Sequence, residues 1–207
     1  MGLLDSERLA FLKGLRPSSV KRLASLRMED VVGLEAKRAR ARVKALKTRY
    51  PSAGPRELGQ HTIDSTKNLA SLTGSVSGVF GLVSVPADLV VMSWLQVRML
   101  ADIATEFGVD LRFRRARTEL LGVLGEANGV GPLQRSGPKV LGKVAAVIAE
   151  RGGFATFGRA MPLVAAPVTA WLNNQHIQLV GEAALRQYDG FQRAAAKTRA
   201  ASGARTP

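Results

Sequence analysis

The sequence predicts an all-α protein: a single multi-helix bundle with two apolar helical hairpins interrupted by glycine and proline. Three observations carry this. Apolar residues recur at helical spacings of three and four along most of the chain, glycines and prolines punctuate those runs at intervals of a helix length, and no stretch alternates as a half-buried strand would. At 207 residues the chain supports one domain with a sizeable core. Its expected organisation is an amphipathic and basic N-terminal region at 1–60, a helical core at 61–191 and a basic disordered tail at 192–207, with disorder setting in after Thr198.

Composition narrows the chemistry. There is no Cys, and His61 and His176 are the only imidazoles, so a thiol nucleophile, a disulfide framework and a His-rich metal site are all excluded or poorly supplied. The expected metal content is none. A formal charge of +14, from 30 Lys and Arg against 16 Asp and Glu, predicts salt-sensitive attraction to polyanions, either an anionic membrane surface or nucleic acid. Asp5 and Glu7 stand where a secretory signal would place basic residues and an apolar run, so a cleaved leader is not expected.

In chain order, Leu4, Phe11, Leu12 and Leu15, then Val20, Leu23 and Leu26, mark two short amphipathic helices. A helix follows from Met28 to Tyr50. Glu29 and Asp30 suit its positive end, Lys47 and Arg49 suit its negative end, and Pro51 stops it. Val32, Ala36, Ala39, Val43, Leu46 and Tyr50 form a narrow apolar seam, flanked by Lys37, Arg38, Arg40, Arg42, Lys44, Lys47 and Arg49. These seven cations are either a solvated face on a helix docked by its seam or a surface for lipid phosphates. With Tyr50 the only aromatic on this helix, base stacking is poorly supplied.

A turn-rich connector at 51–60 leads to a helix starting near Glu57 or Thr62, whose Gly74, Gly78 and Gly81 lay small residues on its surface; Gly74 and Gly78 are a GxxxG pair that admits a close neighbour. Pro86 divides the longest apolar run and opens the next helix, with Asp88 as a cap. That helix ends at Phe107 with Gly108 just beyond. Asp88, Arg98, Asp102 and Glu106 fall on one strip, read first as the wet side of an amphipathic helix and second as a polar site. Trp94 lies on its apolar side.

Residues 109–128 carry four arginines and then Leu120, Leu121 and Leu124 at helical spacing. The following Gly137 to Lys143 imitates a phosphate-binding loop, but Val144 has no hydroxyl for Mg²⁺ and Pro138 removes a backbone donor. No cofactor is expected. A second apolar run at 154–172, broken by Pro162 and Pro167, leads through Trp171 and the polar group Asn173 to His176 to a close at Tyr188 and Gly190, so the two hairpins have the pattern of a quasi-repeat. His176 is a candidate ligand or base, or a structural histidine. Charges and prolines interrupt both apolar runs, so neither reads as a spanning helix of about 20 residues.

Pro86-Ala87-Asp88, Leu95-Gln96-Val97-Arg98 and Ile103-Ala104-Thr105-Glu106-Phe107-Gly108 resemble the Pro-x-Asp, LxxR and IAxxYG stretches of the EcsC-like family of bacterial proteins, with Phe where Tyr is common. The segment from Met161 to Tyr188 also resembles that family's second apolar hairpin, while the basic helix at 37–49 lies outside the resemblance. The resemblance implies an α-helical, membrane-associated protein in a family named for a member encoded with an ABC transporter, and supplies no catalytic residues. The leading expectation is therefore a non-enzymatic protein of the cytoplasmic membrane face, accessory to transport or secretion, with an anionic membrane surface or a membrane protein as partner. The alternatives are a basic helical nucleic-acid binder and a carrier or enzyme with a polar pocket formed by Asp88, Arg98, Asp102 and His176.

Overall fold

A computed structural model describes Leu26 and residues 28–80, 85–129 and 162–203. Among these residues the protein is all-helical: α1 (Met28–Arg49), α2 (Pro55–Phe80), α3 (Val85–Glu106), α4 (Arg114–Ala127) and α5 (Pro162–Gly203). The short N-terminal helices, Gly81, the phosphate-loop imitation at 137–143 and the lead-in at 154–161 that completes the expected quasi-repeat lie outside the described residues.

The bundle is organised around α3. From Val91 to Phe107 almost every side chain of this helix is buried, because α1, α2, α4 and α5 all pack against it. A helix covered on every side needs apolar residues all round, which Met92, Leu95, Val97, Met99, Leu100 and Ile103 supply. Its end is a Schellman motif. Gly108 takes φ +80°, the Val109 N–H donates to Ala104 O at 2.9 Å and the Gly108 N–H to Thr105 O at 3.0 Å, so the chain turns without orphaning these carbonyls.

The apolar seam of α1 docks on α3. Val32, Ala36, Ala39 and Val43 are buried, and Leu46 and Tyr50 are half-buried at the end of the seam. Tyr50 stacks on His61 of α2, ring centroids 4.0 Å apart, and so ties the turn at Pro51 to the next helix. α2 begins at Pro55, earlier than the sequence reading places it. Gly54 accepts the first intrahelical bond, from the Leu58 N–H at 3.0 Å, and a proline in the first turn sacrifices no needed donor. The helix then runs unbroken through Gly74 and Gly78.

The most extensive pairing joins α2 and α5. Two glycines allow it: a Cβ at Gly181 would lie 2.5 Å from Ile63 Cγ1, and one at Gly59 would lie 2.5 Å from Leu185 Cδ2. By contrast, a Cβ at Gly122 of α4 meets nothing within 4 Å. Gly181→Ala is therefore expected to lower stability by about 1–2 kcal/mol, overpacking outweighing the gain in helix propensity, whereas Gly122→Ala is expected to raise it by roughly 0.5–1 kcal/mol. Urea denaturation of the two variants checks the opposite signs.

α5 departs from the sequence reading at both ends. It starts at Pro162 and carries Pro167 inside, giving up one backbone hydrogen bond. It also continues through Thr198 to Gly203, where disorder was expected; Ala, Arg, Lys and Gln are strong helix formers, and residues 191–198 are exposed rather than packed. Gln192 Nε2 donates to the Phe107 carbonyl at 3.2 Å, pinning this helix to the end of α3.

Candidate functional site: a buried charge cluster beneath a basic helix

At Asp102 and Glu106 the strip on α3 is not a wet face. Asp102 is 6% exposed and Glu106 3%, because α1 and α2 close over them. A polar row buried between helices must be paired, and the pairs come from the helices above it.

Arg42 of α1 reaches Asp102 through Nε (2.8 Å to Oδ2, 3.0 Å to Oδ1) and Nη2 (2.7 Å to Oδ1), the two-pronged fork that guanidinium geometry favours. Its Nη1 lies 3.0 Å from Oε2 of the buried Glu35, close enough for an ion pair although the angle falls short of a hydrogen bond. Glu35 Oε1 accepts from Arg38 Nη1 at 2.9 Å and from Trp94 Nε1 at 3.1 Å. One cation thus bridges two buried carboxylates and locks α1 to α3. Burial pulls the Arg42 guanidinium down, and the charge and hydrogen bonds of Asp102, with the charge of Glu35, outweigh it, leaving a raised pKa. Burial also pushes the Asp102 carboxyl up to about 6, against the lowering influence of Arg42 and of the Arg98 charge.

One turn further along, Glu106 Oε1 accepts from the Thr62 hydroxyl of α2 at 2.6 Å, and its Oε2 is buried without a protein partner. Burial raises this carboxyl to about 7; the Thr62 hydrogen bond opposes the rise, the Asp102 charge adds to it and the Lys47 charge opposes it. Arg42, Arg98, Asp102, Glu106, His61 and Thr62 surround a cavity of about 60 Å³. That is space for about four waters, far below the several hundred Å³ of a typical small-molecule site. Arg42, Glu35 and Asp102 join α1 to α3 along one wall of this cavity.

The structure separates the other candidates. His176 meets the end of α4 instead: its Nε2 lies 2.8 Å from Asn128 Oδ1, while Asn128 Nδ2 donates to Leu124 O at 2.7 Å and Gln96 Oε1 at 3.1 Å, which makes Nε2 the protonated nitrogen. Neighbouring polar groups of α5 meet α2: Ser71 Oγ lies 3.1 Å from Asn174 Oδ1, and Lys67 Nζ donates to Gln178 Oε1 at 3.1 Å. The Asp88 side chain lies outside the described residues, as do those of Gly74, Gly78, Pro86, Pro167 and Trp171; Asp88 and Pro86 are in the first turn of α3. No group of three or more His, Asp or Glu among the described residues is placed to hold a metal.

Of the seven cations on α1, Lys37, Arg38, Arg40, Lys44, Lys47 and Arg49 are exposed, and only Arg42 turns inward. At 100° per residue the exposed six stand on both sides of a strip made by Leu34, Ala41 and Ala45, which are themselves exposed. Arg40 also bonds Asp110 at 3.1 Å. The Arg112 side chain and backbone N–H hold Asp110 down at about 2, so it stays charged as an anchor for Arg40.

Residues 20–136, more than half of the chain, match the EcsC protein family. The chain belongs to the EcsC family. Comparison with curated proteins and with solved structures gives no match. The matched range of this EcsC chain takes in all of α1, which the motif resemblance left out, together with α2, α3 and α4; α5, which the resemblance included, lies beyond it. Among the described residues no helix is long and apolar enough to cross a membrane.

Proposed function

We propose that this EcsC-family protein binds the anionic inner face of the cell membrane through the outer side of α1, as a surface-binding rather than catalytic protein. The supporting observation is the division of α1 into two sides. Its seam and Arg42 face inward, and six cations flank an exposed strip of Leu34, Ala41 and Ala45. An interfacial helix has this pattern, with small apolar groups at the headgroup boundary and cations reaching phosphates on either side. Each Lys or Arg near such a surface contributes about 1 kcal/mol, enough in sum for reversible attachment without a spanning segment.

Vesicle flotation tests this. The protein is expected to float with vesicles containing anionic phospholipid at about 0.1 M salt, to ignore zwitterionic vesicles and to detach at several-fold higher salt, where the Debye length shortens. Lys37→Glu/Lys44→Glu is expected to weaken binding more than tenfold at unchanged stability, since both side chains are exposed. Retention on duplex DNA at salt that strips the protein from vesicles would favour a nucleic-acid function instead.

A further inference from the structure

Along one edge of this outer side, α1 and the last turns of α3 form an open groove of about 440 Å³. Arg40, Lys44 and Lys47 line it, with Val43, Thr48 and Thr105. We propose that this groove is a binding site for a phosphomonoester group, carried either by a lipid headgroup or by a free phosphorylated small molecule. In its lipid form the inference rests on the surface-binding proposal and gives that surface a preferred headgroup.

Positive charge converges on the groove. Arg40, Lys44 and Lys47 stand at i, i+4 and i+7, two turns or roughly 10 Å along a single side of α1, within reach of one anion by their long side chains. Like charges at these spacings oppose helix formation, and no acid follows Glu35 in α1 to offset them. Among the described residues Lys44 and Lys47 make no salt bridge, and Arg40 keeps part of its fork beyond the bond from Nη2 to Asp110. A bound dianion removes the repulsion.

The hydrogen-bond donors of the groove divide between engaged hydroxyls and cations. The Thr48 hydroxyl donates to Lys44 O at 3.0 Å and the Thr105 hydroxyl to Ala101 O at 2.7 Å, so both protons are engaged within their own helices. The donors left for a ligand are the cationic N–H groups. A phosphomonoester brings close to two charges at neutral pH and three acceptor oxygens, matching three cations better than a phosphodiester with a single charge.

The test compares vesicles containing phosphatidic acid with vesicles containing phosphatidylglycerol at matched surface charge, and adds an NMR titration with soluble glycerol 3-phosphate. Two double variants remove equal charge: Lys44→Gln/Lys47→Gln in the groove, and Lys37→Gln/Arg38→Gln outside it. The expected result is tighter binding to the monoester lipid, a preference lost on the order of tenfold in the groove variant and kept in the other. Groove-dependent shifts with glycerol 3-phosphate alone would assign the site to a free ligand. Equal binding of both lipids, or equal weakening by both variants, with no shifts from the soluble probe, overturns the groove and leaves the surface proposal standing. If no anionic vesicle binds, the surface proposal falls and the soluble titration alone decides the groove, shifts at Lys44 and Lys47 supporting it and their absence overturning it.

Discussion

Arg42→Ala is expected to destabilise the protein by about 3–5 kcal/mol, the cost typical of removing one partner from a buried ion pair. The variant leaves Asp102 and Glu35, 6% and 1% exposed, without the guanidinium that bridges them. Arg42→Lys retains a charge but loses the two-pronged contact, and should fall between the two. Replacing Arg42 and Asp102 together by Met and Leu should recover much of the loss, because an apolar pair carries no desolvation cost. Urea denaturation at pH 7.5 measures all three, and coupling between the two sites comes from the double-mutant cycle. A loss below 1 kcal/mol for Arg42→Ala would mean that the cluster does not hold α1 in place.

The second large effect is on pH dependence. Burial raises Glu106 from an ordinary value of 4.5 to about 7 in the folded protein. Between these values the unfolded chain has released the proton and the folded chain still holds it, so stability is fully present below about 4.5 and falls as pH rises towards 7. The loss is about 3 kcal/mol, with Asp102 adding in the same direction between its ordinary 3.8 and about 6. Glu106→Gln keeps an acceptor for the Thr62 hydroxyl and cannot ionise. It should match the wild type near pH 4.5, exceed it at pH 8 and show a slope shallower by one proton between pH 5 and 7. Lower stability than the wild type at pH 8 would contradict a buried, costly carboxylate.

Both effects arise in the part of the protein that its sequence least reveals. The seam of α1, the stop at Pro51 and the glycine after Phe107 are local signals, and the helices obey them. The destination of Arg42 is not local. It borders the seam much as its basic neighbours do, and Asp102, 60 positions away on another helix, draws it inward together with the buried Glu35. Asp102 and Glu106 mislead for the same reason, since a polar strip looks solvated until the helices above it are known. The close approaches at Gly59 and Gly181 are likewise set by Leu185 and Ile63 on the facing helix, which no local glycine spacing displays. Periodicity identifies elements; partners across the core decide which flank of each is inside.

The account rests on α1 presenting one side to the core and the other to an anionic surface, and the cysteine-free sequence makes that directly measurable. Single cysteines at Ala41 and Ala45 on the exposed strip, and at Gln175 on the exposed part of α5 as a control, can each carry an environment-sensitive fluorophore. On adding anionic vesicles at low salt, the predicted result is a blue shift with increased emission at positions 41 and 45 and no change at 175. Unchanged emission at 41 and 45 while the protein floats with the same vesicles would place the membrane contact elsewhere and contradict the account.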